Sequence, residues 1–282
     1  MSTAITGIDH VVIAVRDLDA AATAFRRLGF ALTPRGRHPR FGTANHCAMF
    51  AARNYLELMT VAEPAAPDDL FRRCLSGRTG PVAIGWQTRD ARAVGRDWAA
   101  AGLLPGEAID FVRPVDTETG RQDAWFSVVA LAPDRLPGLM GFVCQHDTPD
   151  LVWRPGSTEH PNGARGIIGL VGIADEPTGL ADAYEGALDA ERVVVDEQGL
   201  LVETGTAPIR FTTPAQFEEA SGVTPDPLLR APAIAGIVIA VESVDWVKQL
   251  LDAGAVPYVD SVKGVAVLPS HGCGAVIEFA EA

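Results

Sequence analysis

The chain opens and closes with nearly the same run of residues, and this repeat constrains the fold more than any other feature. His10-Val-Val-Ile-Ala-Val-Arg-Asp17 near the start matches Gly236-Ile-Val-Ile-Ala-Val-Glu-Ser243 near the end, almost position for position. Each run is apolar and β-branched, which predicts a strand, and a helix-like stretch follows its last residue. Asp17 and Ser243 are typical helix starts, and Gly29 and Gly254 are typical helix stops that tolerate a positive φ.

Two weaker copies of the pattern lie between these runs, at Val82–Asp90 and Ile167–Asp175. Short apolar or alternating runs follow each helix-like stretch and are typical of strands. The sequence therefore predicts an α+β fold of four βαβββ modules, at about residues 7–62, 80–146, 166–213 and 233–281. One module leaves a sheet face uncovered, so the modules should pair into domains at 1–150 and 164–282, joined by a proline-rich linker.

Charge and cysteine content exclude several function classes. The net charge of −13 argues against nucleic acid or an anionic membrane as a partner. No apolar run spans a bilayer and no leader precedes the first strand, so we expect a cytoplasmic protein. The four cysteines are scattered and predict reduced thiols. The basic run from Arg35 to Arg40 is interpreted as a solvated loop, with an anchor for an anionic substrate as the alternative.

Several motifs resemble the vicinal oxygen chelate superfamily, which includes glyoxalase I, extradiol dioxygenases and bleomycin-binding proteins. Gly7-Ile-Asp-His10 and its strand resemble the first strand of that family, and Gly42-Thr-Ala-Asn-His46-Cys followed by Tyr55-Leu-Glu57-Leu resembles its third and fourth strands. The chain is also similar to glyoxalase-like proteins in Cys144-Gln-His146 and in His160-Pro-Asn-Gly163. The resemblance implies two glyoxalase-like domains whose curled mixed sheets each form a cup.

The resemblance also implies a divalent metal, Fe, Mn, Ni or Zn, at the floor of the first cup. Its ligands would be His10 and Glu57, from the first and last strands of module one. Module two offers only Ala83 at its first position, and the family glutamate would fall near Cys144 or Gln145. His146 is then the third ligand we favour, which gives a two-histidine, one-carboxylate triad.

Further residues are predicted to contact the substrate or to take part in catalysis. His46 is predicted as a catalytic base, with a role as the third ligand as the alternative, while substrate contacts are predicted for Asn45, Tyr55, Cys144 and Trp153. In the second half only Glu278 matches a last-strand carboxylate, so that half is predicted to be a degenerate scaffold.

Two functions from different classes follow. One is a metal-dependent lyase, isomerase or dioxygenase acting on a small oxygenated or aromatic metabolite, which the pair His10 and Glu57 favours. The other is a metal-free protein that sequesters a small molecule, as bleomycin-binding proteins do, which the missing ligand at Ala83 favours. In either case we expect a small-molecule ligand, and we allow for a homodimer.

Overall fold

The computed structural model describes residues 4–63, 75, 78–103, 105–117, 120–132 and 135–282, apart from the side chain of Asp116. Of the cysteines predicted to be reduced, Cys47, Cys144 and Cys273 are free thiols, and Cys74 lies outside the described residues. Within the described ranges, no helix is both long enough and apolar enough to cross a membrane.

The strands form two eight-stranded sheets, one from each half of the chain. The first sheet consists of β1 (Ile5–Ala14), β2 (Gly36–His38), β3 (Thr43–Met49), β4 (Tyr55–Val61), β5 (Gly80–Thr88), β6 (Ile109–Thr117), β7 (Gly120–Ala130) and β8 (Met140–His146). The second consists of β9 (Ala164–Ile173), β10 (Val193–Asp196), β11 (Gly199–Val202), β12 (Ile209–Thr212), β13 (Ala233–Val241), β14 (Tyr258–Asp260), β15 (Gly264–Val267) and β16 (Val276–Glu281). The helices are α1 (Leu18–Arg27), α2 (Ala91–Ala100), α3 (Ala181–Leu188), α4 (Pro214–Ser221) and α5 (Val244–Ala253), with 3-10 turns at Pro149–Leu151, Pro177–Leu180 and Ala190–Arg192.

Both sheets have the same strand order, which confirms the predicted α+β fold of repeated βαβββ modules. The first runs β2-β3-β4-β1-β5-β8-β7-β6, and the second runs β10-β11-β12-β9-β13-β16-β15-β14. At each centre the first strands of two modules pair antiparallel, and each also pairs parallel with the last strand of its own module. Each module thus closes onto its own first strand, and two modules share one curved sheet.

The repeated helices begin as the sequence predicts. The Asp17 carboxylate accepts hydrogen bonds from the N–H groups of Asp19 and Ala20, and Ser243 accepts one from Trp246. The helix ends differ from each other. Gly29 after α1 has a φ of 83°, whereas Gly254 has a φ of −81° and the left-handed residue is Ala255, at 49°. Gly254 therefore does not serve as the positive-φ stop that the sequence suggests.

The sequence analysis does not predict three of the strands, β2, β6 and β14. Each of them lies at a sheet edge and pairs with one neighbour. The basic run from Arg35 to Arg40, interpreted above as a loop, contains β2. Proline interrupts the β6 pattern at Pro114, and edge strands tolerate proline because one side of the strand makes no ladder hydrogen bonds. These edges matter below because β2 and β6 carry side chains of the candidate site.

The helical faces of the two sheets share one apolar core. The rings of Phe30 and Phe279, from opposite halves of the chain, stack with centroids 5.8 Å apart. The indole N–H of Trp98 on α2 donates to the carbonyl of Ala187 on α3, at 2.8 Å. Since the helices face each other, the concave face of the first sheet is left to surround a separate cavity.

Candidate functional site

The cavity lies on the concave face of the first sheet and its walls are mostly apolar. It is lined by His10, Val12, His38, Phe41, Thr43, Tyr55, Glu57, Met59, Phe111, Arg113, Phe126, Val128, Phe142 and Cys144. Its volume is about 50 Å³, the room of about three or four waters. A site of this size suits a small molecule, and the few polar groups among the rings mark where chemistry can occur.

His10 is held rigidly at the centre of the floor. Its ring stacks on Tyr55 with centroids 4.5 Å apart, and it meets the Phe142 ring edge to face with centroids 5.2 Å apart. Nδ1 donates to the carboxylate of Asp9, at 2.7 Å. Because an ionised carboxylate only accepts hydrogen bonds, this contact places a proton on Nδ1 and directs Nε2 toward Glu57.

Asp9 reaches this face because β1 contains a bulge. The register slips between Ile8 and His10, so Asp9 is the extra residue and packs almost fully buried. Its carboxylate binds His10 and also accepts from Nε2 of His146, at 2.9 Å. Burial alone would raise the pKa of Asp9, but the two histidines outweigh it and lower the pKa to about 2. Asp9 is therefore a buried anion shared by two imidazoles.

Glu57 lies beside His10 on β4, with only 4% of its surface exposed. The amide nitrogen of Asn45 donates to its Oε1 at 2.5 Å, and its Oε2 lies 3.5 Å from Nε2 of His10. A buried carboxylate requires such partners because its desolvation is costly. The outer-face alternative for Glu57 is therefore excluded.

His38 approaches the same carboxylate from the edge strand β2. Its Nε2 lies 4.0 Å from Oε1 of Glu57, while Nδ1 contacts the hydroxyl of Thr43 at 3.0 Å. Burial lowers the pKa of His38 to about 4, although Glu57 opposes this. His10 and His38 thus present the same ring nitrogen to one carboxylate, and each is oriented through the other nitrogen.

The donor types in this group are those of a divalent metal site. The two imidazoles approach different oxygens of the carboxylate, His10 Nε2 at 3.5 Å from Oε2 and His38 Nε2 at 4.0 Å from Oε1. Two histidines and one carboxylate are the donors of non-haem Fe(II) and related sites. Asp9 and Thr43 supply the hydrogen bonds to Nδ1 that such ligands usually have.

A second group of donors lies behind the first. Ligand atoms of Asp9, Cys144 and His146 lie within 4.8 Å of one another. Only Cys144 of the three lines the cavity, and burial raises the pKa of its thiol well above the usual value. A catalytic metal needs a position open to substrate. His10, His38 and Glu57 all line the cavity, although, among the described residues, only Asp9, Cys144 and His146 bring three donors within 4.8 Å of one another.

The structure brings together some of the site residues suggested by the sequence and separates others. Tyr55 and Cys144 line the cavity beside His10 and Glu57. His146 binds the far side of Asp9 and has no contact with Glu57 within 4.0 Å. Its ring packs on Trp153, with centroids 4.8 Å apart.

Asn45 and His46 cannot both face the cavity, because neighbouring strand residues point to opposite sides. Asn45 contacts Glu57. His46 pairs with Leu58, a residue of the helix-side core, and its Nδ1 donates to the carbonyl of Thr33 at 2.8 Å. His46 therefore lies away from the place that a base or third ligand would need. His38 was noticed only as part of a basic run, and nothing in the sequence pairs it with Glu57.

The register corrects one alignment in module two. Glu57 pairs with Val12, two residues beyond His10. The equivalent partner in module two is Phe142, which pairs with Gly85, two residues beyond Ala83. The second module therefore replaces both ligand positions with Ala83 and Phe142, and neither Cys144 nor Gln145 occupies the glutamate position.

The second sheet keeps one carboxylate, beside a pocket of about 660 Å³. Glu278 pairs with Val238 just as Glu57 pairs with Val12, and it is buried with Lys263 Nζ 4.0 Å away. At the position equivalent to His10 stands Gly236, and a Cβ there would lie 3.1 Å from the Phe217 ring of α4. A ring thus occupies the room that a ligand histidine would need.

Comparisons with known proteins support the fold. The chain is similar to a hypothetical protein from Staphylococcus aureus (12% identity, TM-score 0.68, covering 98% of this chain and 99% of that one). It is also similar to a mutant of 4-hydroxymandelate synthase from Streptomyces coelicolor (14%, 0.54, 91% and 77%). A third match is a halotolerant catechol dioxygenase, BphC (14%, 0.56, 100% and 88%).

At these identities the matches show the fold alone. No match was found among curated proteins. The sequence model of the glyoxalase-like domain family matches residues 8–188, which is more than half of the chain and contains the whole candidate site. The chain therefore belongs to the glyoxalase-like domain family, with the vicinal oxygen chelate fold.

Proposed function

We propose that the protein is a divalent-metal-dependent enzyme that acts on a small oxygenated or aromatic molecule in the cavity of the first sheet. The observation that carries the proposal is the convergence of His10 and His38 on the buried carboxylate of Glu57. These three residues would hold the ion, and Fe(II) and Mn(II) suit them best. A bound ion would polarise a substrate oxygen and stabilise the negative charge that develops there, in a lyase, isomerase or dioxygenase reaction.

The remaining residues prepare the site. Asp9 accepts from Nδ1 of His10 and so directs Nε2 toward the cavity, and Asn45 fixes the Glu57 carboxylate by donating to Oε1. The rings of Phe111 and Phe126, stacked 5.1 Å apart, exclude water from the cavity wall. In a dry cavity the fixed charges act on a substrate more strongly than they would in water.

Metal content tests the proposal directly. Protein purified without chelator or histidine tag should contain close to one divalent ion per chain, and Glu57→Gln or His38→Ala should remove it while the fold survives. Glu278→Gln is the matched control, because it removes the carboxylate at the same register of the second sheet. Wild-type protein that neither contains metal nor takes up added Fe(II), Mn(II), Ni(II) or Zn(II) would overturn the proposal.

The second candidate is a metal-free binding protein. The observation that favours it is the loss of both module-two ligand positions, to Ala83 and Phe142. Under this function the metal content of the wild type and of Glu57→Gln would be equally low. Ligand binding would then survive treatment with chelator.

A further inference from the structure

Arg113 is a cation on the cavity wall without an anionic partner. It lies on β6, opposite Ala124 of β7, and its guanidinium carbon is 5.7 Å from the Phe126 ring centroid. It hydrogen-bonds the thiol of Cys47, while its Nε is buried and makes no hydrogen bond. Among the side chains that the structure describes, no carboxylate lies within 4.0 Å of it.

The nearby carboxylates are engaged elsewhere. Glu57 binds Asn45 and faces the two histidines, and Asp9 is shared by His10 and His146. Arg113 is partly buried, and a buried guanidinium nitrogen without an acceptor is costly. Its planar fork is also the donor arrangement that best matches a carboxylate. The position of Arg113 in the cavity is therefore explained by an anion that arrives with the ligand.

The walls indicate what the rest of the ligand is. Rings surround the space beside Arg113, with Phe41 and Phe111 edge to face at 5.4 Å and Phe126 stacked on Phe111. Such walls favour an aromatic ring in offset or edge-on contact. The enclosed volume of about 50 Å³ is smaller than the roughly 150 Å³ of a cavity that holds benzene, so the ligand has at most one ring and part of it lies at the cavity mouth.

We infer that the substrate is a small aromatic carboxylate, whose carboxylate binds Arg113 and whose ring lies among the phenylalanines. The inference rests on the proposed function in taking this cavity as the substrate site. The preference for an anion, however, comes from Arg113 and does not require the metal. The two ideas can therefore fail separately.

The test compares benzoate with benzamide, a neutral molecule of nearly the same shape, by titration calorimetry on chelator-treated protein. Wild-type protein should bind benzoate at least about tenfold more tightly, since charge-assisted bidentate pairs are the strong ones. Arg113→Met, which keeps the length of the side chain but not its charge, should lose that preference. Arg92→Met is the matched control, because Arg92 is a half-exposed arginine that pairs with Asp110, and it should keep the preference.

Three results on the chelator-treated protein would overturn the inference. They are equal affinity of the wild type for benzoate and benzamide, retention of the preference in Arg113→Met, and absence of benzoate binding in wild-type protein. A preference that appears only after metal is restored would assign the carboxylate to the ion and would also contradict the role of Arg113. Melting temperatures of both variants show whether they fold, and metal content reports on the proposed function independently.

Discussion

At the scale of single residues, the candidate site requires a small residue beside its reactive side chains. Gly85 pairs with His10 across the two central strands. A Cβ on Gly85 would lie 2.5 Å from Cε1 and 2.8 Å from Nδ1 of His10. The imidazole cannot move aside cheaply, because Asp9 binds one edge and Tyr55 covers one face. Gly85 is thus the residue that makes room for His10.

Gly85→Ala should therefore displace His10. We expect a loss of stability of about 1–3 kcal/mol from overpacking and a drop in metal affinity of about tenfold or more, as when ligand orientation is disturbed. Denaturant melts and metal titration measure the two effects. Gly169→Ala is the control, since a Cβ there would find no neighbour closer than 3.6 Å. Equal behaviour of the two variants would mean that His10 tolerates the methyl group.

At the scale of elements, the second sheet has an aromatic ring where the first sheet has the imidazole of His10. This ring belongs to α4, a helix that follows β12 and begins with a capping box formed by Thr213 and Gln216. Phe217 on this helix is buried against Val171, Ala235 and Val276. The helix inserts its ring where the first sheet has His10.

Phe217→Ala should reveal what this packing contributes. Truncating a buried phenylalanine costs about 3–5 kcal/mol of stability, so we expect a large fall in the denaturation midpoint. Metal content should be unchanged, because the ring packs on the second sheet alone. A variant with normal stability, or one that loses metal while folded, would contradict this separation of the two halves.

The elements also show how far the sequence could be interpreted. Central strands and helix starts follow from β-branched runs and from Asp17 and Ser243, because these signals are local. The edge strands β2 and β6 carry weak local signals, and they bring His38 and Arg113 to the site. The sequence analysis misses Asp9 for a related reason. Strict alternation places its side chain on the face opposite His10, and only the bulge brings it to the same face. Pairing of distant side chains depends on register, which a single sequence does not specify.

At the scale of the whole molecule, polar side chains form hydrogen bonds between the two halves of the chain where the apolar cores of the halves meet. Asn54 donates to the carbonyl of Ile167 at 3.0 Å and accepts from the N–H of the same residue at 2.9 Å. It thereby adds a strand-like connection between the β3–β4 turn and β9. His160, in the segment between the two sheets, binds back onto the first half. Such buried hydrogen bonds define how the halves join and leave their apolar cores intact.

His160 should make this junction sensitive to pH. Its Nδ1 accepts from the N–H of Ala31 at 3.0 Å, so Nε2 carries the proton donated to the carbonyl of Met49 at 2.8 Å. Protonation would turn Nδ1 into a second donor facing the Ala31 N–H, and burial lowers the pKa of His160 although the Met49 bond opposes this. Below about pH 6.5 the His160 imidazole therefore binds a proton in the unfolded chain but not in the folded chain, and the free energy of unfolding falls as the pH falls.

The measurement is the free energy of unfolding of the wild type and of His160→Ala between pH 7.5 and 5. At the upper end the variant should be less stable by about 1–3 kcal/mol, the cost of two lost hydrogen bonds to backbone groups. Toward pH 5 the gap should narrow, because only the wild type loses stability through this side chain. Subtracting the two curves removes the contributions of His38 and Asp9, which both proteins share. A gap that stays constant across the range would show that His160 binds its proton equally well in the folded and unfolded chain, and a widening gap would reverse the sign of the linkage.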